Sequence, residues 1–312
     1  MDDQVTYNQG QALAAQDDDF KVLDDALLPP VNEFKRFFRV FFTRRIIIFA
    51  SILLIMIILM AIFADVVAPY DPYEQNLRNV RALPSSDHLL GTDALGRDLL
   101  SRIIHGSRVA ILVGIFTVLV AASIGTTIGL VAGFSGGIVQ TLIMRTTDAL
   151  MAIPNLILSI LVIGTLKAGV PSVILAIALG MFPGYIRMVN GQVMSVKQND
   201  YVMAERAMGA SWGRITFRHI LPNCMSPLIV MMTMMLGSSI MAEAGLSYLG
   251  LGITPPTAAW GSMCHDGYKY LLDRPLLSIA PGFAIMMLVF SVNMVGDGLR
   301  DALDPRLRGT LN

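Results

Sequence analysis

Five ionisable residues stand in or at the margins of strongly apolar runs: Arg145, Asp148, Arg187, Glu243 and Asp297. A charge at bilayer depth is costly, so residues of this kind mark ion pairs, proton or ion relays, or contacts to a polar ligand. Arg145 and Asp148 are three apart, a spacing that lets them pair on one helix face. Arg187 and Asp297 lie near enough to the ends of their runs for the side chains to reach water. Glu243 comes late in its run, where a carboxylate can meet an amine, a metal ion or an arginine. The group Met231-Met232-Thr233-Met234-Met235 offers soft thioethers, but at helical spacing they spread around the helix, which suits adaptable packing better than a metal path.

Other chemistries lack their parts. An intramembrane hydrolase needs a nucleophile and a base at membrane depth, yet His88, His105, His219 and His265 all map to run ends or connecting segments. No Gly-Lys pair exists either, so this sequence contains no phosphate-cradling Walker loop. Cys224 and Cys264 are expected on opposite membrane faces, which argues against a disulfide or a metal cluster and for two ordinary packing residues.

The elements that carry these residues are written in the hydropathy. Hydrophobic residues make up 54% of the 312, only 15% are charged, and the mean hydropathy is +0.62, so the expected solvent is lipid and the expected class is an all-α polytopic membrane protein. A formal net charge of zero gives no argument for nucleic acid. Residues 1–28 are acidic and polar, without the basic start and apolar stretch of a signal peptide, and read as a disordered cytoplasmic tail. The basic juxtamembrane segment 29–45 (Lys35, Arg36, Arg39, Arg44, Arg45) should hold the N-terminal side in the cytoplasm. The first transmembrane helix is expected at 46–64 and an extracytoplasmic loop at 65–102. Further apolar stretches around 107–133, 141–166, 170–191, 224–246 and 276–297 bring the total to about six spans by the length criterion. Both termini are then cytoplasmic. Arg187, Lys197, Arg206, Arg214, Arg218 and the C-terminal arginines agree with the basic-residue rule, while four arginines in the 65–102 loop run against it.

Gly125, Gly129 and Gly133 repeat at four-residue spacing, a smooth face for close helix packing. Pro154, Pro183 and Pro281 lie in or near spans and allow kinks. The segment 192–222 is too polar to cross and too patterned for a plain linker. Helix formers over Tyr201-Val202-Met203-Ala204-Glu205-Arg206-Ala207-Met208 lead to Gly209 as a C-cap, Ser211 is placed to N-cap a second short helix, and Pro222 is expected to end it.

This segment resembles the EAA loop of ABC importer permeases, a Glu-Ala-Ala start, a glycine and a terminal Ile-x-Leu-Pro. Gly209, Leu221 and Pro222 fit, Met203 occupies the position of the usual Glu, Glu205 follows two residues later, and His219 holds the position of the Ile. Three other segments narrow the resemblance to the oligopeptide/dipeptide/nickel family: Gly91-Thr92-Asp93-Ala94-Leu95-Gly96-Arg97-Asp98, then Glu243-Ala244-Gly245-Leu246-Ser247-Tyr248-Leu249-Gly250-Leu251-Gly252 with Trp260-Gly261, and Gly296-Asp297-Gly298-Leu299-Arg300-Asp301-Ala302-Leu303-Asp304-Pro305-Arg306. The first reads as structural, its glycines turning and its Asp and Arg residues pairing or capping the next helix. The second suits an interfacial element over an outer mouth, with Trp260 near the headgroups.

The resemblance implies a type I ABC importer permease fold over 103–300, with a coupling loop at 192–222, an outer loop at 247–275 and a cytoplasmic tail at 301–312. It implies a non-catalytic subunit in a bacterial or archaeal cell membrane, in contact with lipid, that forms half of a pathway for short peptides. The same family also imports nickel, metal chelates or glutathione. Implied partners are a second, homologous permease, two ATP-binding-cassette ATPase subunits holding the ATP and Mg, and an extracytoplasmic solute-binding protein. No cofactor or metal is expected on this chain. The ATPase-coupling residues are Met203, Ala204, Glu205, Ala207, Gly209 and Ala210, and the substrate-path candidates are Glu243 and Tyr248. An ion-coupled secondary transporter working through Asp148, Glu243 or Asp297 is the rival from another class.

Overall fold

The computed structural model describes residues 33–166 and 169–303. The acidic tail 1–28 and the ending from Asp304 lie outside the described residues. Twelve α-helices follow in order: α1 Glu33–Phe41, α2 Arg45–Ile62, α3 Ala64–Val67, α4 Leu99–Ser135, α5 Gly137–Met151, α6 Asn155–Thr165, α7 Val170–Val196, α8 Asp200–Ala207, α9 Trp212–Ile215, α10 Leu221–Tyr248, α11 Trp260–Tyr268 and α12 Leu276–Leu303. A π-helical turn, Thr216–Ile220, joins α9 to α10.

Five helical bodies are long and apolar enough to cross a bilayer: α2, α4, α7, the α9–α10 body and α12. The expected third span is not one straight helix, because α5 and α6 meet at 92° across Pro154. Proline disfavours helical geometry at the residue before it, and the chain breaks there. The packing of α4 on α7 shows what this bent pair does. Gly125 lies against Phe182 and Tyr185, Gly129 against Val189 and Gly133 against Val193. The two series rise together, so α4 and α7 run parallel. Parallel neighbours joined through 136–169 require the connection to return through the same thickness, and α5 with α6 supplies that sixth crossing.

The glycine stripe is the close-packing face read from its spacing. A Cβ on Gly129 would sit 2.8 Å from Val189 Cβ, and one on Gly133 2.6 Å from Val193 Cβ, so only glycine lets the two backbones meet. On the other side of the bundle α10 and α12 are antiparallel, with Gly237 against Asn293 and Gly296 against Thr233. The start of α2 closes on the end of α12, where Gly298 abuts Ile47 and Arg44 pairs with Asp301 at 3.3 Å.

Between α2 and α4 a non-repetitive segment is pinned by polar contacts. Asp98 caps α4, accepting from Ser101 N at 2.8 Å and Ser101 Oγ at 2.7 Å. Asp93 holds Arg97 at 2.6 Å, and buried Arg102 donates to Pro72 O at 3.0 Å. Gly91 and Gly96 turn at φ +80° and +75°, the left-handed region that glycine enters without penalty. Trp260 does not face outward from the bundle. The indole is buried inside the protein, its Nε1 donating to Ile103 O at 2.9 Å, and Gly106 leaves the room, since a Cβ there would lie 2.6 Å from that nitrogen.

Candidate functional site

The segment after α7 is anchored before it turns. Lys197 Nζ reaches the carbonyls of Gly133 and Phe134 at 3.4 and 3.3 Å, tying the entry to the end of α4. Helix α8 carries Asp200 in its first turn and Arg206 in its last, the polarity the helix dipole favours. It ends in a Schellman turn: Ala210 N bonds Glu205 O and Gly209 N bonds Arg206 O, both at 3.0 Å, with Gly209 at φ +81°. Ser211 Oγ then accepts from Arg214 N at 3.4 Å to start α9.

The second helix does not stop at Pro222 as its sequence suggests. α9 passes through the π turn into α10 as one body, Trp212–Tyr248. Pro222 falls at the start of α10, where a missing N–H is least costly, and the π turn absorbs the change of register. Val202, Ile215 and Ile220 are buried, so the two limbs are fixed to the core from inside.

Of the six sequence-derived coupling residues, Met203, Ala204, Ala207 and Gly209 are exposed, while Glu205 and Ala210 are half-buried. Met203 is exposed, as are Met208 at 79% and Phe217 at 70% of full exposure. Glu205 turns inward instead, its Oε1 2.8 Å from Nε2 of His219 on the opposite limb. The two departures from the EAA pattern thus meet each other across the hairpin. This pairing is invisible in sequence because it depends on where the π turn aims His219.

The substrate-path candidates separate. Glu243 is 1% exposed, and its Oε1 accepts from Ser247 Oγ at 2.7 Å while Ser247 Oγ accepts from Ile253 N at 2.9 Å. Tyr248 is exposed at the end of α10, its ring edge-on to His265. Asp148 pairs with Arg187 at 2.5 Å rather than with Arg145, because α5 lies against α7 and the neighbouring helix supplies the nearer cation. Asp297 is half-buried on α12. Among the described residues no group of three His, Cys, Asp or Glu could hold a metal ion.

One feature of the bundle escaped the sequence reading. A groove of about 600 Å³ runs between α6, α7, α10 and α12, lined by Asn155, Ser159, Met181, Ser238, Met241 and Asn293 among others. Its signals were present in the Pro154-Asn155 interruption and in an asparagine within the last apolar run.

The described residues form a helical bundle with one broken crossing and a polar hairpin between two crossings, and its class follows from its relatives. Residues 125–309 match the family described as binding-protein-dependent transport system inner membrane component. The chain belongs to this family and is a multi-pass permease subunit of a bacterial ABC importer. Residues 32–84 match the N-terminal TM domain of oligopeptide transport permease C, which places it in the peptide-permease branch. It is 40% identical over 286 residues to the dipeptide transport system permease protein DppC of Haemophilus influenzae, covering 89% of this chain and 96% of that one. It is also 40% identical over 290 residues to the glutathione transport system permease protein GsiD of Pectobacterium atrosepticum (91% and 96% covered), and over 292 residues to the di/tripeptide permease DppC of Pseudomonas aeruginosa (91% and 96%). Among solved structures, the inward-facing MetNI methionine ABC transporter matches with TM-score 0.50 and 21% identity over 66% of this chain and 98% of that one, a likeness of fold alone.

Proposed function

We propose that this chain forms half of a membrane pathway for short peptides, opened alternately to either side by ATP binding in partner subunits. The observation that carries the reading is the hairpin: two short helices joined at Gly209 and continuous with α10, presenting Met203, Ala204, Ala207 and Met208 outward. An exposed apolar and small-residue surface of this kind fits a partner's groove, and its rigid link to α10 turns motion of the partner into motion of a crossing helix. ATP and Mg belong to two such ATPase partners, with a second permease completing the pathway and a solute-binding protein delivering cargo. The hairpin and both termini then face the cytoplasm. A catalytic role for this chain is not part of the proposal.

The relatives named for dipeptides, di/tripeptides and glutathione share one cargo chemistry, a short amide chain with charged ends. Glutathione is the second reading on that ground. Tyr248 is the sequence-derived candidate that is free to touch cargo, and Glu243 is assigned instead to bracing the 243–253 turn through Ser247.

The test is Gly209→Val in the reconstituted complex. No atom would obstruct the new Cβ, so the change strains only the backbone at about 1–3 kcal/mol. Uptake of labelled dialanine per ATP hydrolysed should fall while the complex still assembles. Unchanged coupling in an assembled complex would remove the lever role.

A further inference from the structure

Helix α10 has two unlike sides at the middle of the bundle. Toward α2 and α4 it bounds a cavity of about 230 Å³ walled by aliphatic side chains, including Leu54, Ile58, Ile111, Ile115, Leu236 and Leu288. Thr233, which also lines it, bonds its hydroxyl back to Val230 O at 2.8 Å. On the opposite side lies the 600 Å³ groove, where Asn155 and Asn293 are exposed and Ser238 is exposed beside them.

The two carboxamides are seated, not merely present. Gly237 of α10 leaves the place that Asn293 occupies, because a Cβ on Gly237 would overlap its Oδ1. Gly180 of α7 lies beside Asn155, whose Oδ1 would be in ordinary contact, at 3.4 Å, with a Cβ built there. Neither carboxamide bonds to another group among the described residues. Unsatisfied amides facing hydrocarbon are strongly disfavoured, so this side of α10 meets water or a polar occupant rather than lipid. No Asp, Glu, Lys, Arg or His lines the groove. Each carboxamide presents one acceptor and two donors, which complements an amide backbone and is indifferent to the sign of a charge.

We infer that Asn155 and Asn293 form a neutral station in the pathway that hydrogen-bonds the backbone amides of a peptide in transit, irrespective of its side chains. Methionines Met181 and Met241 complete the wall with adaptable apolar contact for those side chains. Because the station reads no charge, discrimination among peptides is left to the protein that delivers them. The inference rests on the peptide reading above and goes beyond it by naming the contacts.

The experiment uses the whole complex in proteoliposomes, with its ATPases, second permease and binding protein, and three labelled probes: dialanine, lysyl-alanine and alanyl-aspartate. Asn155→Leu combined with Asn293→Leu should leave assembly and stimulated ATP hydrolysis intact but lower dialanine uptake per ATP about tenfold, the scale of one or two lost hydrogen bonds. Asn293→Asp, which preserves volume, should raise the ratio of lysyl-alanine to alanyl-aspartate uptake about tenfold over that of the wild type, the effect expected when one charge enters a partly dried path. Unchanged peptides per ATP in the double variant, or an unchanged probe ratio in Asn293→Asp, overturns the station. Loss of the second permease from the double variant overturns it as well, since the groove would then be a seat for a partner side chain. If the wild-type complex imports none of the three probes, the peptide reading falls and the station with it.

Discussion

At the end of the bundle that carries residues 65–98, charges are buried and locked to one another. Arg97, Asp98 and Arg102 are each less than 5% exposed, Asp93 serves both arginines at 2.6 and 3.6 Å, and His88 Nδ1 lies 3.0 Å from Asp98 Oδ1. At the opposite end the 200–222 hairpin shows Arg206, Met203 and Met208 to solvent, and its limbs are held by a Schellman turn, the partly buried His219–Glu205 contact and Tyr201, which meets His219 and Asn223. The difference separates a fixed cap from a handle. The cap holds α3, α4 and α11 in place by interactions that fail together. The handle keeps its inner face anchored and leaves its outer face exposed.

Breaking the cap should have the largest effect on stability. Arg102→Ala leaves Asp93 without one cation and the Pro72 carbonyl without its donor, a loss of about 3–5 kcal/mol by analogy with other broken buried pairs. Thermal unfolding in detergent should show it, and a shift no larger than that of a surface variant would end the idea of a locked cap. Gly209→Val comes next for stability, since its cost is backbone strain alone, but it should dominate in coupling. If it unfolds the chain as severely as Arg102→Ala, the handle is as structural as the cap.

Glu205→Gln tests the inner face of the handle. Gln keeps the shape of Glu and can still hydrogen-bond the imidazole across this mostly buried pair, so the loss should be about 1 kcal/mol, while ATP hydrolysis in the complex becomes less dependent on cargo. An unaltered coupling ratio would make the pair incidental.

The smallest expected effect lies at the edge of the cap, where hydrogen bonds from Arg108 and then His105 lower the pKa of Asp65 below 3.8. A depressed carboxylate contributes its stability above its unfolded value and loses it as pH falls through the folded one. Acidification below pH 3.8 should therefore loosen the α3–α4 contact, seen as faster hydrogen exchange at residues 61–68. Asp65→Asn should abolish that pH dependence; persistence in the variant would assign it to another group.

How far the site could be read in advance depended on the range of the interaction. Gly209 and Ser211 act within a few residues of themselves, through a left-handed turn and an N-cap, and their roles follow from local chemistry. Pro222 did not, because whether a proline ends a helix or begins one depends on the helix that precedes it. Asp148 chose Arg187 over Arg145, since the helix packed alongside brings a nearer charge than its own helix does. Glu243 looked like a contact for cargo because the sequence reports its depth and not its direction.

By itself the sequence determined the solvent, the all-helical class, the number of crossings, the glycine face of α4 and the turn that joins the two limbs of the hairpin. These depend on hydropathy, spacing and local turns, which the chain carries residue by residue. Only the tertiary structure decided that the third crossing is bent, that Trp260 and Glu243 are interior, that Glu205 meets His219, and that Asn155 and Asn293 face one groove. Pro154 permits the bend but packing sets its angle, and the other contacts depend on the rotation of each helix about its axis relative to its neighbours, a quantity set across the whole bundle.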